Sequence, residues 1–254
     1  MEGFLFFCYH GPMISVTMIV RDGARHLRSV LDALRGFHEV LLFDTGSTDQ
    51  TLEIARSFPN VIVYQGSFQG FGKTHNEAAS LASSDWILSI DADEVLSPGL
   101  ACELAQLQPS KGCAYLIPFH NFYRGKRVYI LDPDQHVRLY NKKETQFTED
   151  QLHERVATEG LRVISLRYPI HHYSYGNISD FLIKMERYSS LFVEQNPTRR
   201  ASPWVALFHS WSAFLKHYFL KRGFLGGYRG FLISMYIAHT AFYKYLKLYE
   251  TQCS

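Results

Sequence analysis

The 254-residue chain is 46% hydrophobic and 20% charged with a formal net charge of +2, which excludes an intrinsically disordered polymer and gives no electrostatic footprint for nucleic acid. Its four cysteines, Cys8, Cys102, Cys113 and Cys253, form no Cys-x-x-Cys pair and no metal-binding spacing, and read as free thiols of a reducing compartment. The length suits one sizeable domain with an extension.

The chain opens on a short apolar run without a basic leader, so a cleaved signal is not expected, and Met13, just before the first clean strand, is an alternative start. No uninterrupted apolar run reaches the roughly 20 residues of a membrane-spanning helix, which leaves surface attachment open. The β-branched run 14–20 predicts a buried strand that ends at Arg21-Asp22-Gly23. Leu27, Val30, Leu31 and Leu34 have the spacing of a helix face packed on a sheet, with Gly36 as its stop. Residues 40–43 predict a second strand closing on Asp44-Thr45-Gly46-Ser47-Thr48-Asp49, and strand, helix, strand at this spacing implies a right-handed parallel crossover. Thr48 or Asp49 can cap a helix over 52–58, whereas capping does not account for Asp44. A third strand over 61–64 is followed by a glycine-containing loop, Gly66 to Gly72, and then Lys73-Thr-His-Asn76 leads into a helix over 77–82. The Walker spacing is absent there, so Lys73 is either a phosphate contact or a solvated surface lysine. Residues 86–90 form the fourth strand, and charge arrives abruptly at its end as Asp91-Ala92-Asp93-Glu94. On an extended backbone Asp91 and Asp93 point to one side, out of the carboxyl end of a sheet, where α/β proteins bind ligands. Two close carboxylates call for a compensating cation, and Mg²⁺ or Mn²⁺ prefers oxygen donors. A diphosphate-bearing metal and a plain capped turn are about equally good readings of Asp-x-Asp by itself.

These segments together resemble a known family. The run 15–22, Asp44 to Asp49, Phe71 to Asn76 and Asp85 to Glu94 are similar to the family-two inverting glycosyltransferases of GT-A fold. The nearer resemblance is to the lipopolysaccharide core glycosyltransferases of the WaaE/KdtX type. It continues through residues 121–126, 134–140, Leu152-His-Glu154, His172-Tyr-Ser174 and 184–188, and covers roughly 14 to 250. The expected fold is a mostly parallel sheet flanked by helices over 1–200, with a helical extension over 201–254. The family often ends its first strand in Asn-Glu where this chain has Asp22-Gly23, and carries Pro-Gln or Gly-Gln where this chain has Lys73-Thr74.

Inverting transfer requires one carboxylate to take the proton of the acceptor hydroxyl while a nucleoside diphosphate leaves from the opposite face. The resemblance implies a nucleoside-diphosphate sugar donor, a UDP-sugar first, and a divalent metal (Mg²⁺ or Mn²⁺) on Asp93 that neutralises the leaving group. It also implies that Asp91 contacts ribose or orients the metal and that Asp44 bonds base or ribose; Asp22, Lys73, Asn76 and Arg138 complete the expected donor contacts. Two places offer the base, Glu149-Asp150 and His153-Glu154; the latter matches the subgroup, so Glu154 with His153 beside it is the expected catalytic pair. An ion-paired surface Glu is the plain alternative. Adjacent strand residues face opposite ways, so of His171 and His172 one serves, and the family match selects His172 as a further metal ligand. Lys126 is a candidate phosphate or acceptor contact, as is Arg138, with surface solvation the alternative for both.

From Pro203 onward Trp, Phe, Tyr and Leu recur at helical spacing beside Lys216, Lys221 and Arg222, glycines at 223, 226, 227 and 230 interrupt, and a second helix runs over 231–248. An aromatic stripe is either core or a helix lying in a membrane interface, and the glycolipid acceptor implied by the resemblance favours peripheral contact with the inner, cytoplasmic face of a membrane. Two other functions fit less of the sequence. A sugar-1-phosphate nucleotidyltransferase needs a glycine-rich basic loop after the first strand, and Arg21-Asp-Gly-Ala-Arg25 is a poor version; a non-catalytic sugar-nucleotide-binding protein needs no base.

Overall fold

The computed structural model describes residues 13–149 and 154–253. The four runs of β-branched and aliphatic residues form a parallel core: β1 (Ile14–Val20), β2 (Val40–Asp44), β3 (Val61–Gln65) and β4 (Trp86–Ser89). β1 lies between β2 and β4, in register Val16 to Val40 and Val16 to Leu88. Helices α1 (Ala24–Ala33), α2 (Thr51–Arg56) and α3 (Phe71–Leu81) make the crossovers. Ile14, Val16, Met18, Leu27, Val30, Leu31 and Leu42 are buried in one cluster, as the 3.6-residue period of α1 and the apolar strands require.

Past Ser89 the sheet becomes mixed. β5 (Glu94–Leu96) leads into α4 (Pro98–Gln106), whose Ser97 cap accepts from the Leu100 N–H. The remaining strands are β6 (Cys113–Tyr123), β7 (Lys126–Arg127), β8 (Asp134–Asn141), β9 (Arg162–Ser165) and β10 (Ile170–Tyr175). The sheet order is β3-β2-β1-β4-β8-β6-β10-β5, with β8 antiparallel to both β4 and β6, β5 antiparallel to β10, β7 antiparallel to β6 and β9 parallel to β6. This mixed sheet with flanking helices agrees with the expected GT-A-type architecture.

The structure moves one predicted boundary. Helix α3 begins at Phe71, six residues before the predicted start, so Lys73, His75 and Asn76 stand on its first turns. Gly70, at φ +100°, turns the chain into it, and a Cβ on Gly72 would lie 1.9 Å from the Thr148 carbonyl oxygen, so that helix turn rests directly on backbone. His171 and His172 both lie within β10. The described residues group into two compact units, one within 1–120 and 133–172 and the other within 121–132 and 173–254, the excursion 121–132 folding with the C-terminal helices.

In the second unit, α5 (Ile178–Gln195) starts at a capping box formed by Asn177 and Asp180. α6 (Pro203–Leu215) passes through a π-helical turn at Lys216–Leu220 and a 3₁₀ turn at Gly223–Gly226 into α7 (Gly227–Cys253). The core here is largely aromatic: Tyr175 stacks on Phe181 with centroids 4.2 Å apart, and Tyr123, Val128, Ile130 and Ile233 close around Phe181. A Cβ on Gly230 would lie 1.7 Å from the Gly223 carbonyl oxygen, so the return into α7 depends on a missing side chain. Gly230→Ala is expected to cost at least about 2 kcal/mol, with Gly226→Ala, which meets open space, within about 1 kcal/mol of wild type; urea unfolding of the two variants checks this, and equal stabilities would refute it.

Candidate active site

The carboxyl ends of β1, β2 and β4 carry Asp22, Asp44 and the acidic turn, and each tip is fixed differently. Asp22 adopts left-handed backbone at φ 52°, a conformation rare outside glycine, asparagine and aspartate. Its Oδ1 accepts the Thr48 N–H at 2.7 Å and the Asp49 N–H at 3.3 Å, and its own N–H donates to Ser47 Oγ at 2.9 Å. The Thr48 N–H holds its carboxyl below the ordinary carboxylate range. Asp49 accepts the N–H groups of Ala24 at 3.1 Å and Thr51 at 2.9 Å, so it ties the start of α1 to that of α2. Asp44 is buried and accepts from the N–H groups of Gly46 and Ser47 and from Gln65 Nε2. The first two tips are thus stitched into one polar surface by backbone donors.

At the fourth tip the chain does not remain extended. Glu94 N–H donates to the Asp91 carbonyl at 3.0 Å and Asp91 N–H to Glu94 Oε2 at 3.0 Å, closing a turn over 91–94 before β5 pairs with β10. Asp91 and Asp93 therefore do not project side by side as an extended strand would place them. Asp91 Oδ2 lies 3.1 Å from Arg138, and Glu94 makes a closer contact with the same guanidinium. Arg138 is delivered by β8, which runs antiparallel to β4 with Leu139 opposite Leu88, and its guanidinium also lies 5.4 Å from the Phe119 ring centroid. Asp93 Oδ2 lies 3.6 Å from His172 Nε2. His171, on the opposite face of β10, stacks instead on His120.

The titration behaviour follows from this sharing. Burial opposes charge on Arg138, but Glu94 and Asp91 outweigh it and hold its proton more firmly than usual. Burial also opposes ionisation of Asp91, and Arg138 overrides it to keep that carboxyl well below the ordinary range. Glu94 goes the other way, lifted by burial and by repulsion from Asp91 and Asp93. Two carboxylates on one guanidinium are thereby driven apart.

Beside this turn a pocket of about 240 Å³ is lined by Phe71, His75, Asp91, His136, Val137, Arg138, Phe147, Glu154 and Arg155. His75 is buried, stacks on Phe147 with centroids 4.3 Å apart and has Ser89 Oγ 3.2 Å from Nδ1. Burial pushes its pKa down to about 4, so the ring is neutral at pH 7. His136 has Asp134 Oδ1 2.9 Å from Nε2. Of the expected donor contacts, Asp91 and Arg138 line the pocket with Glu154. Lys73 is exposed and 3.6 Å from Glu149. Asn76 is engaged with main chain, giving its Nδ2 to the Phe147 carbonyl at 3.0 Å and taking the Phe147 N–H at 2.8 Å, which anchors the pocket wall. Arg138, its side chain only 12% exposed, is doubly paired, so the solvated surface alternative for it does not hold. His153 and Asp150 lie outside the described residues. Lys126 belongs to the second unit, on β7. Sequence reasoning passed over His75, Glu94 and His136: the first stands among polar helix residues, the second reads as the tail of an acidic run, and only the pairing of β4 with β8 shows what they face.

Asp93 and His172 fit a hard divalent cation as a partial protein set. Asp93 Oδ2 and His172 Nε2 are 3.6 Å apart, close enough that both would serve as donors to one such ion. Among the described residues no group of three or more His, Cys, Asp or Glu side chains stands ready for a metal.

With this geometry in place, comparison with known proteins is decisive at the family level. The profile described as Glycosyl transferase family 2 matches residues 23–167, more than half of the chain. The chain belongs to glycosyl transferase family 2. A Rickettsia bellii (strain RML369-C) protein named uncharacterized glycosyltransferase is 29% identical over 261 residues, covering 95% of this chain and 88% of that protein. A Rickettsia typhi protein of the same description is 28% identical, with 93% and 87% covered. Among solved structures, Staphylococcus aureus TarS 1-349 in complex with UDP-GlcNAc is similar at 16% identity and a TM-score of 0.48, with 94% of this chain and 89% of that chain covered. Mycobacterium tuberculosis glucosyl-3-phosphoglycerate synthase with Mn²⁺, UDP and glucosyl-3-phosphoglycerate follows at 19% identity and a TM-score of 0.45, covering 74% of this chain and 81% of that chain. The matched span of the family profile includes the acidic turn, Arg138 and Glu154.

Two outcomes test the electrostatics of this family-2 site. Arg138→Met leaves two carboxylates without their cation and should destabilise the fold by about 3–5 kcal/mol at neutral pH, with much of the loss recovered in Arg138→Met/Glu94→Gln; urea unfolding that shows no recovery would refute the shared-cation account. For His75 the unfolded ring takes its proton near pH 6.5 and the folded ring only near 4. Its contribution is therefore complete above pH 6.5 and lost as pH falls toward 4, by up to about 3 kcal/mol. Unfolding free energies measured between pH 7 and 4 should fall less steeply for His75→Gln than for wild type, and parallel slopes would count against a neutral buried ring.

Proposed function

We propose that this family-2 protein is an inverting, metal-dependent glycosyltransferase that moves a sugar from a nucleoside-diphosphate sugar to a hydroxyl of a glycolipid acceptor of the lipopolysaccharide inner-core kind, at a membrane surface. The observation that carries the reading is the convergence of Asp91, Arg138 and Glu154 on one pocket beside the Asp93–His172 pair. In the reaction the acceptor oxygen forms its bond to the anomeric carbon as the bond from that carbon to the diphosphate oxygen breaks. Glu154 receives the hydroxyl proton. Asp93 and His172 would hold the divalent cation, which when bound supplies positive charge to the departing diphosphate. Asp91, kept ionised by Arg138, faces the donor as a hydrogen-bond acceptor, while neutral His75 offers polarity without charge. Asp44 and Asp22 hold the neighbouring tips in shape for the base and ribose.

A panel of nucleotide sugars, UDP-sugars first, tests the donor class through metal-dependent binding and hydrolysis. Glu154→Gln should lower turnover by at least about a hundredfold while donor affinity stays near wild type; retained turnover would move the base to Glu149 or Asp150. Calorimetric titration of UDP with and without Mn²⁺ should show metal-dependent affinity in wild type that Asp93→Asn abolishes. Equal affinities in the two proteins would remove Asp93 as a ligand.

A further inference from the structure

We infer that the turn between α6 and α7, together with the outer stripe of α6, is a docking surface for an anionic lipid bilayer. On α6, Trp204, Phe208, Trp211 and Leu215 fall at intervals of three and four residues, and Phe219 continues the same line through the π-helical turn. The stripe faces away from the core: Trp204 is 80% exposed, Phe208 71% and Trp211 64%, while Ala206 on the other side of the helix is fully buried. At the tip of the turn Leu220 is 80% and Leu225 71% exposed. The aromatic stripe read from the sequence thus divides: Trp204, Phe208 and Trp211 are exposed, while Phe214 stacks on Tyr218 with centroids 5.2 Å apart. A contiguous run of large apolar side chains this exposed marks a surface that meets a partner.

Charge identifies the partner. Between Glu194 and Glu250 the chain has eight Lys and Arg and no Asp or Glu. Three of these, Lys216, Lys221 and Arg222, are exposed among the apolar residues of the turn. A two-fold interface with a second copy would bring this uniformly cationic surface against itself, which like-charge repulsion opposes. An anionic surface complements it, and tryptophans beside lysines and arginines suit the headgroup layer, where rings lie at the acyl boundary and cations meet lipid phosphate. No helix among the described residues is long and apolar enough to cross a membrane, so the contact is one of lying on the bilayer and not of spanning it. The inference deepens the reading of a glycolipid acceptor, on which its purpose rests, and names the segment and the lipid charge that bring the protein to such an acceptor.

Flotation of the full chain with vesicles of phosphatidylcholine alone, or with a third of that lipid replaced by phosphatidylglycerol, tests it. Wild type should float with the anionic vesicles, less so as salt rises, and its tryptophan emission should shift to the blue, because two of its three tryptophans, Trp204 and Trp211, lie on the stripe. Each basic residue near such a surface strengthens binding about fivefold, so Lys216→Gln/Lys221→Gln/Arg222→Gln should weaken it about a hundredfold at low salt. Phe208→Ser/Trp211→Ser should abolish flotation at any salt while circular dichroism remains that of wild type. Failure to float with phosphatidylglycerol vesicles, indifference to these substitutions, or a lipid-free dimer in which the tryptophans are already shielded would overturn the inference. Metal-dependent UDP binding on the same preparations separates the two readings: wild type that binds UDP but no vesicle sinks the surface alone, and wild type that floats but binds no UDP sinks the transferase reading alone.

Discussion

One guanidinium organises the acidic end of the sheet. Arg138 is nearly buried, and it is set between two carboxylates that could not otherwise share so small a space. A lysine in its place would supply the charge but not the planar fork that meets two acceptors at once. The antiparallel pairing of β8 with β4 supplies the residue at the level where the parallel frame ends, so register, burial and charge are one constraint. Because Asp91 and Glu94 are both satisfied by that fork, Asp93 is turned toward His172 on a different strand, and the local chemistry divides into a fixed half and an open half.

That division explains what the sequence revealed. Strands β1 to β4 and the face of α1 were legible because their patterns are local: β-branched runs bounded by polar tips, and apolar residues at helical intervals. Asp44 and Asp93 were legible as tip residues for the same reason. The closed turn at Asp91 was not, since alternation along a strand predicts a direction only while the strand continues, and here it stops at Ser89. The partners of Arg138 lie 44 and 47 positions away and the Asn76–Phe147 anchor spans 71, distances over which no local pattern speaks. The excursion 121–132 folds with the C-terminal helices through Val128 and Ile130, two apolar residues in a short segment whose period says nothing of its destination.

The two units are stabilised by different means. The first rests on aliphatic packing of a sheet and its crossovers, with polar groups at the tips saturated by backbone donors. The second rests on stacked rings: Tyr175, Phe181 and Tyr236 form one such group, and His209 on Tyr245, centroids 4.1 Å apart, begins another. Aromatic packing leaves large side chains to spare, and some of them remain on the outside of α6.

The stitching of the first two strand tips has a kinetic and entropic side. Loops that close on a ligand lose conformational freedom at the moment of binding, and that loss weakens affinity. Here Asp22, Asp44 and Asp49 already hold the loops after β1 and β2 through main-chain hydrogen bonds, including one residue kept in left-handed backbone. A ligand that settled on these tips would meet groups whose freedom was surrendered on folding, so its association there would need little rearrangement.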